Sequence, residues 1–130
     1  MRGVDTNVLV RFLVRDDPEQ ARKASQFLMV ECTAEDPGLV NHIVLCELVW
    51  VLGSFYAYPR QAIARVLDGI AKAVQLSIPD VQDVRLAIAE YQDGADFADA
   101  LIAIINLRLG CRETVTFDRQ AARRSGCQAL

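Results

Sequence analysis

The sequence has a single histidine, and its four cysteines include no Cys-x-x-Cys pair. A structural zinc site gathers thiolates and imidazoles at short spacing, so none is expected. Cys32, Cys46, Cys111 and Cys127 are scattered, and Cys46, within Val-Leu-Cys-Glu-Leu, reads as a small core residue. His42, beside Asn41 at a helix start, reads as structural. Long apolar runs are also missing, because charges interrupt each one before the about 18 residues a membrane span needs. The opening Met-Arg-Gly-Val-Asp places a carboxylate where a signal peptide needs its apolar stretch, which argues against export. Glycine and proline stand at ordinary levels, 7 and 4, excluding collagen-like and low-complexity chains. Nor is there an excess of positive charge. Lys and Arg number 14 against 17 Asp and Glu, a net of −3, which argues against a general nucleic-acid coat.

What is present is a core. With 52% hydrophobic residues the chain can bury one, unlike a disordered segment. Its 130 residues suit one domain, 1–130, and the scattered cysteines suit a reduced, cytoplasmic protein.

Residues 2–4 form a short run that stops at Asp5. A helical pattern follows through Val8, Leu9, Phe12 and Leu13, and Asp16-Asp17-Pro18 breaks it before a helix over about 18–31. Glu35 to Gly38 is a turn, and Leu39-Val40 a second short strand. The helix from Ile43 to Leu52 is apolar on every face except at Glu47, so burial on most sides is expected. Pro59 opens a helix to about 72, 74–78 is a weak strand, and Pro79 opens a helix to about Tyr91. A strongly apolar helix spans about 97–109 and ends at Gly110, placed as a C-cap. Thr114–Phe117 is a strand, and 119–124 a basic helical turn. Short strands alternating with longer helices predict an α/β fold in three layers, a central parallel sheet flanked by helices.

The acids then acquire positions. In an open parallel sheet ligands bind beyond the carboxyl ends of the strands, and right-handed crossovers would put Asp5 and Asp118 on one sheet edge. Either acid alone serves equally well as a cap for the next helix. Glu47 has Ile43, Val44, Trp50 and Val51 as helical neighbours, where an ionised carboxylate needs compensation by a cation, by Arg11 or Arg15, or by protonation. Asp96 and Asp99, three apart, share a helix face, with Asp96 also suited to an N-cap and Asp99 to the N3 position. Five carboxylates at one pole would repel one another unless a cation sits among them. An oxygen-only set suits Mg²⁺ or Mn²⁺, ions that activate water and clamp phosphodiesters. Without those five acids, twelve remain against 14 basic residues, so an acidic total is compatible with an RNA-cleaving surface. Arg119, Arg123 and Arg124 are candidates for phosphate contacts, with a solvated helix face as the alternative.

Four blocks carry a resemblance: Val-Asp-Thr-Asn-Val-Leu-Val, Leu-Cys-Glu-Leu-Val-Trp-Val-Leu, Ala-Asp-Phe-Ala-Asp-Ala-Leu-Ile-Ala and Thr-Phe-Asp-Arg. In this order, from Asp5 to Asp118, they resemble the PIN-domain family and, within it, the VapC-type toxins of prokaryotic toxin–antitoxin pairs. The resemblance implies an endoribonuclease dependent on Mg²⁺, with Mn²⁺ able to substitute, usually dimeric and held inactive by a cognate antitoxin along the active-site groove. It implies catalytic roles for Asp5, Glu47, Asp99 and Asp118. Metal ligation would come from Asp5 and Asp99 as principal ligands, with Asp118 and the extra acid Asp96. Thr6, Asn7 and Thr116 match the family's motifs as residues that orient a carboxylate or water, although Asn7 suits a helix cap as well.

Two other classes fit part of the sequence. A non-catalytic PIN-like binding module would use Trp50, Phe55, Tyr56 and Tyr58 at an interface, against ordinary core packing for the same rings. A metal-dependent phosphatase with Asp5 as nucleophile would want an Asp two residues on, where Asn7 stands.

Overall fold

Short apolar runs ending at polar residues form short strands, and capped amphipathic runs form the helices between them. A computed structural model describes all 130 residues. The chain divides into two compact units, Met1–Pro79 and Asp80–Leu130.

The first unit holds a three-stranded sheet in the order β1 (Arg2–Gly3), β2 (Gly38–Leu39), β3 (Leu76–Ser77), with every pairing parallel. Parallel neighbours need long crossovers. Helices α1 (Thr6–Val14) and α2 (Pro18–Gln26) make the first, and α3 (His42–Trp50) and α4 (Arg60–Lys72) the second. Local chemistry accounts for their starts. Asp17 accepts from the Gln20 N–H at 3.0 Å with Pro18 in the first turn, and Asn41 caps α3 through the Val44 N–H at 3.0 Å. α2 continues to Glu31 and α3 to Phe55 through wider π-helical turns. The core is built on Val4, Leu9, Val10, Val40, Leu45, Leu48, Leu52 and Leu67. β2 fits against its neighbours because position 38 is glycine: a Cβ there would meet Val4 Cγ2 at 2.8 Å and Cys32 Sγ at 3.2 Å. His42 Nε2 donates to the Pro79 carbonyl at 2.6 Å, the structural role expected of it.

The second unit contains α5 (Val81–Gln92), α6 (Phe97–Arg108) and a two-stranded parallel sheet of β4 (Thr114–Thr116) and β5 (Cys127–Ala129). α5 packs on α6, and Val84, Ala87 and Ile88 of α5 and Phe97, Ala100 and Ala103 of α6 are all buried. Gly110, at φ 97°, ends α6 in the left-handed conformation expected after a helix. Between β4 and β5 only a 3₁₀ turn, Ala121–Arg123, is helical.

The α/β class with a parallel sheet among helices is therefore found. Contrary to the expectation of one sheet edge for both acids, β4 pairs with β5 rather than joining the sheet of β1, so Asp5 and Asp118 do not end strands of one sheet. No helix is long and apolar enough to cross a membrane.

Candidate active site

In the first unit Asp5 follows β1 and is exposed. Its backbone occupies the N-cap position of α1 (φ −79°, ψ 154°), but its side chain makes no capping hydrogen bond. Helix capping thus does not account for the carboxylate. Thr6, the first residue of α1, is buried, and its Oγ1 donates to Glu47 Oε1 at 2.9 Å. Asn7 is the second helical residue rather than a cap, and it is exposed.

The surroundings of Glu47 differ from those its neighbours predict. α3 buries Val44, Leu45 and Leu48, but Ile43 is 71% and Trp50 66% exposed, and Glu47 lies with them on the open face. Because water reaches that face, neither a salt bridge nor protonation is needed to compensate the charge. Arg11 instead bonds Asp16, Gln20 and Tyr56, and Arg15 bonds Ser25 and the Phe12 carbonyl. Trp50 and Phe55 are likewise exposed rather than core residues.

In the second unit Asp96, Asp99 and Asp118 come together electrostatically. Asp96 is the N-cap of α6 and accepts from the Asp99 N–H at 2.9 Å, so the predicted cap exists. Asp118 Oδ1 accepts from the N–H groups of Gln120 (2.8 Å) and Ala121 (3.1 Å), and the Asp118 N–H donates to Thr116 Oγ1 at 3.0 Å. These bonds fix the turn after β4 and use one carboxylate oxygen of each aspartate.

Asp99 has no such structural bond. It is half-buried on the first turn of α6, where burial, followed by the negative charges of Asp96 and then Asp118, holds its carboxyl above the usual carboxylate range. Arg124 pulls the other way. A cavity of about 370 Å³ opens here, lined by Asp96, Asp99, Gln120, Arg123 and Arg124.

The three candidate phosphate-binding arginines separate. Arg119 and Arg123 are exposed, whereas the Arg124 side chain is only 10% exposed and is bound to the Glu90 carboxylate. Its Nη1 also reaches Cys127 Sγ at 3.7 Å. This Arg124–Glu90 pair had no sequence signal: the residues lie 34 apart, in α5 and after the 3₁₀ turn.

The second-unit donors fit a hard divalent cation. They are all carboxylate oxygens, and Asp99 is destabilised as an anion by burial first and then by Asp96 and Asp118, which a bound cation would offset. In neither unit do three His, Cys, Asp or Glu side chains stand as a preassembled ligand set. No curated protein and no solved structure gives a significant match to this sequence. The sequence pattern of the PIN domain, however, matches residues 4–126, from the residue before Asp5 to beyond Asp118, and the chain belongs to the PIN domain family.

Proposed function

We propose that the chain is a metal-dependent endoribonuclease, a VapC-like toxin that hydrolyses RNA phosphodiesters in the cytoplasm and is neutralised by a cognate antitoxin. The PIN domain is generally a nuclease fold, and its nucleases generally use divalent metals. The observation that carries the reading is Asp99: a half-buried carboxylate outside any cap, whose ionisation is opposed by its burial and then by Asp96 and Asp118. Folding alone gains nothing from that arrangement.

Asp99 and Asp118 are the second unit's ligands for Mg²⁺ or Mn²⁺, and Asp96 adds an oxygen beyond the one its cap uses. The first unit, taken by itself, offers the Asp5 carboxylate, which no cap occupies. Glu47 is held at Oε1 by Thr6, which leaves Oε2 to accept a proton from water. Thr116 steadies Asp118 through its backbone N–H. When bound, the cation supplies Lewis acidity at the phosphodiester and offsets the charge that develops in the transition state. The exposed Arg119 and Arg123 are the arginines we assign to RNA phosphates.

The first test is cleavage of total cellular RNA by the purified protein, with Mn²⁺ and then with EDTA. Discrete new ends that disappear with EDTA are expected. Intact RNA from a folded, Mn²⁺-loaded protein would overturn the ribonuclease reading, and activity on a small phosphoester alone would replace it with a phosphatase.

Two surfaces of the first unit support the protein partners. An apolar groove of about 230 Å³, lined by Leu9, Phe12, Leu28, Val66, Ile70 and Leu76, suits apolar side chains of an antitoxin segment. Ile43, Trp50 and Phe55 present apolar area for a second copy of the chain. Production of the protein alone should arrest growth, with rescue by the antitoxin, and light scattering should give a dimer. Harmless overproduction of active, folded protein would remove the toxin assignment, and a monomer at micromolar concentration the dimer.

A further inference from the structure

We propose that Arg124 is a built-in counter-charge for the Asp96–Asp99 cavity, one that limits how tightly the acids hold a divalent cation, with Glu90 setting its strength. The inference rests on the reading of Asp99 as a cation ligand. Arg124 lines the same cavity as Asp96 and Asp99, yet only 10% of its side chain is exposed. The Glu90 carboxylate and Cys127 Sγ bind the guanidinium, whereas Arg119 and Arg123 are exposed. These bonds leave one guanidinium donor unsatisfied, because Nε is buried and has no acceptor. What the position does provide is a fixed positive charge in a partly dehydrated place, where Coulomb interactions reach further than in bulk water. Consistent with that, Arg124 is the group that favours the ionised form of Asp99 against burial and two like charges.

A divalent cation entering beside Asp99 would meet repulsion from this guanidinium. Removing Arg124 changes the local charge twice in the same direction: the positive group goes, and Glu90 is left as an unpaired negative one. A purely structural Arg124 predicts the opposite result, because a loosened cavity binds a cation less well.

The test is Mn²⁺ binding to the full chain, followed by electron paramagnetic resonance, with circular dichroism as the check on folding. Arg124→Met and Arg124→Gln should each bind Mn²⁺ roughly five- to tenfold more tightly than wild type, while Arg124→Lys stays near it. Glu90→Gln, which leaves the guanidinium without its counter-ion, should bind several-fold more weakly. Unchanged or weaker binding by folded Arg124→Met and Arg124→Gln overturns the proposal. If neither folds, Glu90→Gln decides, and unchanged or tighter binding overturns it. Wild-type protein that binds no Mn²⁺, or binding that Asp99→Asn leaves intact, defeats the cation-ligand reading itself and this inference with it.

Discussion

Asp99→Asn should lower RNA cleavage by roughly 10³-fold or more, the several kcal/mol that a lost metal-ion contribution represents, and yet leave the protein as stable as before or more so. The two effects have one cause. The wild-type carboxylate is half-buried beside Asp96 and Asp118, and its folded-state pKa is raised, chiefly by burial. For a carboxyl group with a raised folded-state pKa, ionisation opposes folding. The penalty is absent below the unfolded-state pKa, grows as pH rises, and is complete above the folded-state value. Arg124 reduces it without reversing the direction. An amide carries no such penalty, so thermal unfolding at neutral pH in EDTA should give a variant Tm equal to or above wild type. The difference should shrink towards acid pH. With saturating Mn²⁺ the order should reverse, because only wild type gains ligand-linked stability at this position. A variant that cleaves RNA at the wild-type rate would remove Asp99 from the site. One that is inactive but markedly less stable in EDTA would make it a structural residue.

What could be read from the sequence was what acts over four residues or fewer. Asp17-Pro18 sets the start of α2, Asp96 caps α6 and Gly110 ends it, because capping and φ preferences are settled by the chain's immediate neighbours. The acid blocks were legible for the same reason, as short patterns at strand ends and helix starts. Burial was less so. The neighbours of Glu47 describe its helix surface as apolar, but whether another element covers that surface is a tertiary fact, and at Ile43 and Trp50 none does. β5 escaped because Cys127-Gln128-Ala129 contains no β-branched or aromatic residue. Its strand character comes from pairing with β4, which in turn moved β4 out of the sheet expected to carry both Asp5 and Asp118. The Arg124–Glu90 pair was hidden for a related reason: each residue alone reads as an ordinary helix-surface charge, and only the fold buries the arginine against the glutamate.

Phe97→Ala should destabilise the chain by about 3–5 kcal/mol, a large share of the 5–15 kcal/mol typical of a folded domain. Phe97 is fully buried at the first position of α6, and its ring meets Tyr91 edge-on at 6.3 Å and 88°. It joins α6 to α5 at the point where Asp96, its immediate neighbour, caps the helix and Asp99 follows one half-turn later. The cavity left by truncation therefore lies under the turn that carries the acids. Phe97→Leu, which keeps most of the volume, should lose less stability and retain cleavage. Urea unfolding followed by circular dichroism gives the stability change, and cleavage assayed from 10 to 37 °C gives its consequence. In Phe97→Ala the loss of activity should deepen with temperature, tracking the unfolded fraction, whereas in Asp99→Asn it should be nearly constant over the same range. Wild-type stability in Phe97→Ala would show that the ring does not anchor the second unit. Full stability loss with undiminished cleavage at low temperature would show that the acids hold their positions without it.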